Sequence, residues 1–398
     1  MKDEKRLAES MQVFLGETGL WEDSRRRFLI PASNHFINQE NVDFIKKVGP
    51  EIVSLLKITD RLMGKAVSEN DNQGAMKYFR NAAVVGIPKA RRKIQKYFKK
   101  FPESVKVDFV KGVDGKFYIV EIDTVNTHGL GYGKILKKMC SFLDPVECDC
   151  KLKGTETLLN YNPLEVIVPF KDRFHEGEWK ATSKLIKTLT FHRESEVNPE
   201  DLRGKILLDI SHKLNKDIQD KLVEMFSKNE VEVLISPKDQ LGSKNVLPFV
   251  WNTRTQEALM TEGLTSEGLN LVKNHLPESL FVQKNTDLGN FSDKSWLLKE
   301  VNSNAMKGVT SPSACDLKEI GNYSFILQRK IEQTKQSFQF FDEDCCVKES
   351  DLYSRYIVYF NSLGNPMECL YTATNEELTH GGIGAVFGTC WSECDCHN

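Results

Sequence analysis

No uninterrupted apolar run in the chain approaches the roughly 18 residues of a membrane span, and no apolar stretch follows the opening Met-Lys-Asp-Glu-Lys-Arg as a signal peptide would require. The expectation is a cytoplasmic protein with no membrane partner. Charge of one sign is also lacking: 54 Lys and Arg stand against 56 Asp and Glu, a formal charge of −2, so bulk electrostatics names no partner. With 25 Gly and 13 Pro in 398 residues, neither enrichment is present that would mark a collagen-like or low-complexity chain, and 40% apolar residues exclude a disordered one. Ten cysteines are too few for a disulfide scaffold. They cluster at Cys148/Cys150, Cys345/Cys346 and Cys390/Cys394/Cys396 beside His397, without the separated knuckles of a structural zinc site, and read as reduced thiols.

What is present is length enough for two or three packed units. Residues 1 to about 100 read mostly as helix. The clearest piece runs from Lys89 to Phe101, with Ile94, Tyr97, Phe98 and Phe101 on one face and Lys89, Arg91, Arg92, Lys93, Lys96, Lys99 and Lys100 on the other. That basic face is the one feature pointing to nucleic acid. The balanced charge elsewhere and the lack of a recognisable nucleic-acid module argue against that partner.

From Val105 short β-rich runs begin. Val105–Val110, a turn at Val113–Lys116 and Phe117–Ile122 predict a hairpin. Its second strand ends in Glu121-Ile-Asp123-Thr-Val-Asn126, followed by His128 and Gly129-Leu-Gly131-Tyr-Gly133. Acids at i and i+2 share one face of a strand, and Asp108 on the partner strand would add a third hard oxygen donor suited to Mg²⁺ on nucleotide phosphates. Residues 205–235 predict a β-α-β unit with a parallel sheet, extended by a strand at Val246–Trp251 and a helical stretch to about His275. No G-x-G-x-x-G opens that unit, which argues against a dinucleotide there.

In the last region a strand at Ser295–Leu298 delivers Lys299 into a small polar loop, Asn302-Ser-Asn304-Ala-Met-Lys-Gly308 to Thr310. A lysine ammonium ahead of such a loop can neutralise phosphates as a point cation. A strand at Tyr323–Leu327 runs into Gln328 and Ile331, Tyr353–Phe360 places Arg355 among apolar residues, and Thr379-His380-Gly-Gly-Ile-Gly follows. His128 and His380 sit beside glycine-rich turns, and no general base stands out.

Taken in order, these pieces resemble the ATP-grasp superfamily in the circularly permuted arrangement of glutathionylspermidine synthase and eukaryotic glutathione synthetase, because the metal hairpin precedes the lysine, lid and hinge. The resemblance covers 105–133 and 205–386. It implies an α/β (α+β) ATP-grasp fold divided into a helical N-terminal region (1–100), the metal-binding part of the core (101–150), a small parallel α/β substrate domain (160–285) and the lid with the remaining core (286–398). It further implies ATP and Mg²⁺ as cofactors, and an ADP-forming ligase that joins a small-molecule or peptide carboxylate to an amine through an acyl phosphate. Residue by residue, Lys299 and Arg355 look like the catalytic cations. Lys284, Lys299, Asn302, Asn304, Gly308, Gln328 and Ile331 look like the nucleotide contacts, and Asp108, Glu121, Asp123 and Asn126 like the metal ligands. E-x-D stands where relatives carry E-x-N, so Asp123 and Asn126 both remain open for the last ligand position, and Gly308 alone stands where relatives' lid loops are richer in glycine. The alternatives are a nucleotide-binding scaffold without turnover and a nucleic-acid binder using the basic helix.

Overall fold

The computed structural model describes residues 2–20, 28–86, 100–125, 129–143, 161–211, 213–236, 238–291, 293–302, 308–312, 323–377 and 384–392. The basic helix, apart from residues 100 and 101, lies outside them, as do Asn126, His128, Asn304, His380, Cys148, Cys150, Cys394, Cys396 and His397.

The N-terminal region is helical but not wholly so. After α1 (Lys2–Thr18), two short strands, β1 (Ile30–Pro31) and β2 (His35–Ile37), join the main sheet before α2 (Gln39–Ser68) and α3 (Met76–Gly86). Asn38 starts α2 by accepting the Asn41 N–H at 3.0 Å, which satisfies one of the donors a helix N-terminus leaves open. The predicted hairpin is β3 (Ser104–Lys111) and β4 (Phe117–Asp123), and α4 (Leu130–Cys140) follows it.

A four-stranded parallel sheet comes next, built from β5 (Leu164–Val168), β6 (Leu189–Arg193), β7 (Ile206–Asp209) and β8 (Glu232–Ile235) in the order β6-β5-β7-β8. Helices α5 (Glu176–Leu185) and α6 (Lys216–Ser227) are its crossovers. The apolar run expected as a further strand is instead a 3-10 helix, Lys244–Val250. Pro248 inside it lacks the N–H a strand ladder requires, and all seven of its residues are buried. The long helical stretch is two helices, α7 (Thr253–Thr261) and α8 (Ser266–His275), parted at Gly263, which has φ +107°.

Strands β9 (Ser279–Phe281), β10 (Trp296–Glu300), β11 (Val309–Thr310) and β12 (Phe325–Arg329) form an antiparallel sheet in the order β11-β10-β12-β9. The rest returns to the main sheet through β13 (Lys335–Phe341), β14 (Val347–Asn361), β15 (Pro366–Thr374) and β16 (Val386–Ser392). Strand β14 is long enough to pair with β13 along its first half and β3 along its second, while β15 covers its other edge. Alternation then gives the sheet two working faces. Val107, Phe109, Tyr356, Val358 and Phe360 pack on α2 and α3 in one core, and Ile357, Tyr359 and Leu370 pack on α4 and α1 in another. The first core depends on a close approach: a Cβ on Gly49 of α2 would lie 2.1 Å from the Gly364 carbonyl oxygen in the β14–β15 turn. Among the described residues no helix is long and apolar enough to cross a membrane.

Candidate functional site

The polar cluster lies where the second face of the main sheet leaves the apolar core. Pairing sets Asp108 directly opposite Glu121, and Lys106 opposite Asp123. On β14, Ile357 stands opposite Asp108 and Tyr359 opposite Lys106, so Arg355, two residues before Ile357, shares their face. Two cations arrive from outside the sheet. Lys299 comes on β10, its Nζ donating to the Val120 carbonyl at 3.3 Å, and Lys244 comes at the start of the 3-10 helix, 3.4 Å from Glu121 Oε1. Asp108 is 1% exposed and faces Lys106 Nζ and Arg355 Nη1, each at 3.4 Å.

Four cations thus surround three carboxylates in a desolvated corner. Burial alone would raise the Glu121 carboxyl, but Lys244, Lys106, Lys299 and Arg355 outweigh it and hold the group at about 2. Burial would lower the Lys106 ammonium, and Asp108, Glu121 and Asp123 reverse that and raise it. For Lys299 burial wins: its ammonium is lowered to about 8, the attraction of Glu121 being opposed by Lys244. Cations thus outnumber carboxylates by one, a charge that favours anionic oxygen at this corner.

The structure therefore brings Asp108, Glu121, Asp123, Lys299 and Arg355 together, and adds Lys106 and Lys244, which the sequence reading passed over. The signal for Lys106 was available, since it precedes Asp108 by two residues on one strand face. Other expected residues lie elsewhere. Lys284 is exposed on a turn after β9. Gln328 lies inside β12, 1% exposed, with its amide donating to Ser279 Oγ at 3.3 Å, so its side chain serves the sheet interior. Asn302 donates to the Val85 carbonyl at 2.9 Å, and Gly308 offers its carbonyl to the Glu300 N–H at 2.7 Å, closing the base of the loop. Ile331 is half-buried just beyond β12.

The glycines after Glu121 and Asp123 open α4. Gly129, with φ +104°, is its N-cap, and a Cβ there would lie 2.2 Å from Tyr359 Oη. Gly129 and Gly131 donate their N–H groups to Glu178 Oε1 at 2.7 and 3.0 Å, so a buried carboxylate from α5 already takes the helix N-terminus.

The donor set can be tested against Mg²⁺. Both Asp108 oxygens are buried and accept no hydrogen bond, and Glu121 stands directly across from them. Mg²⁺ is usually held by one or two carboxylates together with substrate phosphates, and these two acids fit that role. An all-protein centre does not form: among the described residues no group of three or more His, Cys, Asp and Glu side chains is placed to hold a metal.

Comparison with protein families and with curated proteins finds no match in sequence. Comparison of folds does: the chain is similar to a glutathione synthetase-like effector from Globodera pallida, solved in its apo form, with a TM-score of 0.60 over 98% of this chain and 96% of that one, at 9% sequence identity. The chain thus has a mixed α/β fold similar to that of this structure, and at that identity the likeness speaks for fold alone.

Proposed function

We propose that the chain is a circularly permuted ATP-grasp ligase that binds ATP at the Lys106–Lys244–Lys299–Arg355 corner and joins a carboxylate to an amine with release of ADP and phosphate. The observation that carries this reading is the meeting of four buried or half-buried cations with Asp108 and Glu121 between the main sheet and β10. Phosphoryl transfer asks for charge stabilisation and positioning more than covalent chemistry, and this corner supplies both.

In this reading Lys299 and Lys244 neutralise the nucleotide phosphates, and Arg355 and Lys106 meet charge on the transferred phosphoryl group. Asp108 and Glu121 would hold magnesium arriving with the nucleotide, which would withdraw charge from the phosphate oxygens. Asp123 turns the chain out of the strand by accepting the Val125 N–H at 2.9 Å. Ligands of open parallel sheets bind beyond the carboxyl ends of the strands. In this reading the small parallel sheet is the substrate domain, and the carboxyl edge of its strands, where Asp172 bonds Lys213 Nζ at 2.7 Å, faces the substrate.

Attack of a carboxylate on the γ-phosphate gives an acyl phosphate and ADP. The test is turnover of ATP with pooled carboxylates and hydroxylamine in place of the amine. Hydroxamate with equimolar ADP is expected. AMP with pyrophosphate would overturn the chemistry, and ATP binding without turnover over every substrate pool would leave a nucleotide-binding scaffold.

A further inference from the structure

The segment from Lys238 into the first turn of the 3-10 helix is polar and buried, a combination that connecting segments normally avoid because their polar groups then need partners inside the protein. Lys238, Asp239, Gln240, Ser243, Lys244 and Asn245 are all less than 8% exposed. Its partners come from the chain just past β4, just past β10 and just before β12. The Lys238 carbonyl accepts from Thr124 Oγ1 at 3.4 Å, immediately after Asp123. The Lys244 N–H donates to the Val301 carbonyl at 3.2 Å, two residues after Lys299, and Asn245 Nδ2 donates to the Tyr323 carbonyl at 3.2 Å. Gly242 lies so close to the end of β4 that a Cβ there would be 3.0 Å from Asp123 Oδ1.

The remaining anchor comes from the N-terminal region, where the sequence showed no counterpart to a ligase. Asp60, in the third quarter of α2, takes Lys238 Nζ on one oxygen and Gln240 Nε2, at 3.1 Å, on the other. Lys238 is 8% exposed at its side chain and Asp60 19%, so the pair is largely shielded from water. Four residues beyond Gln240 the chain presents Lys244 to Glu121.

We propose that Asp60 is a positioning residue for the nucleotide site: by holding Lys238 and Gln240 it fixes the chain leading into the 3-10 helix and so the point at which the Lys244 ammonium meets a phosphate. The inference rests on the nucleotide-binding reading above and extends it to α2. An ammonium displaced by about an ångström loses its close contact with an anion, so loosening the anchor weakens phosphate binding even though Asp60 does not touch the nucleotide.

A double-mutant cycle on the full chain tests it, with ATP and magnesium as the ligand and calorimetry as the readout. Asp60→Asn should weaken ATP binding by about fivefold and Lys244→Met by roughly tenfold or more, while adding Asp60→Asn to Lys244→Met should change affinity by less than about twofold, because residues acting through one another are not additive. Multiplying losses in the double variant, or unchanged affinity in Asp60→Asn, would overturn the proposal. If circular dichroism shows Asp60→Asn unfolded, Gln240→Ala removes one bond of the anchor and carries the same cycle, with a loss of about two- to threefold that vanishes in the Lys244→Met background. Failure of the wild-type chain to bind ATP would instead refute the nucleotide reading, which separates the two.

Discussion

Acidification below pH 6.5 should cost this protein stability through His35. Its ring stacks on Phe338, with centroids 4.7 Å apart, and on Tyr356, lies 4.9 Å from the Tyr371 ring, and shares a hydrogen bond of 2.9 Å between Nε2 and Tyr356 Oη. Tyr356 Oη is also held by Gln336, and Lys111 is the charged group nearby. Burial, helped by Lys111, lowers the His35 pKa from 6.5 to about 4. Between those values the unfolded chain binds the proton and the folded one does not, so stability is full above pH 6.5 and falls as pH drops toward 4. At 1.36 kcal/mol per pH unit, the loss from this group is about 2 kcal/mol at pH 5 and about 3 kcal/mol near pH 4. Urea unfolding at pH 7 and pH 5 measures it, with His35→Gln as the control: the variant is less stable at pH 7, yet its stability should fall by about 2 kcal/mol less between the two pH values. Equal pH slopes for wild type and variant would show that the ring titrates normally and that the aromatic cage does not exclude its charge.

Three further outcomes follow from the geometry. Gly49→Ala should destabilise by roughly 1–3 kcal/mol in urea, because overpacking against the Gly364 carbonyl outweighs the usual helical gain from alanine; stabilisation would mean α2 stands off the β14–β15 turn. Lys299→Ala should weaken ATP binding with or without magnesium, whereas Glu121→Gln should remove mainly its magnesium-dependent part, and indistinguishable titrations for the two would contradict their separate roles. Glu178→Ala should expose the amides of Gly129 and Gly131 to faster hydrogen exchange and destabilise by about 1–3 kcal/mol, since two buried donors lose their acceptor; unchanged exchange would show the cap to be dispensable.

The parts of the site that could be read from sequence are those carried by strands with a clear apolar pattern. Period-two alternation makes a strand face explicit, so Asp108, Glu121 and Asp123 could be placed together before any fold was known, and Lys299 and Arg355 stood out as cations ending or interrupting apolar runs. Lys244 escaped because the apolar run behind it, Val246–Trp251, has no periodicity that separates a buried strand from a buried 3-10 helix; only Pro248 argued for the latter. Strands β1, β2, β5 and β6 were equally silent, being two to five residues long or paired with partners far along the chain. Asp60 could not be found at all by such means. Its role depends on a contact spanning 178 residues of sequence, which no local pattern encodes.

The most direct measurement is calorimetric titration of the full chain with ATP, in the presence and absence of magnesium. A saturable single-site isotherm is expected with magnesium, accompanied at about 100 times the dissociation constant by roughly 2.7 kcal/mol of added stability in denaturant unfolding. No binding under either condition would contradict the assignment of the Lys106–Lys244–Lys299–Arg355 corner to nucleotide phosphates, and the ligase reading with it.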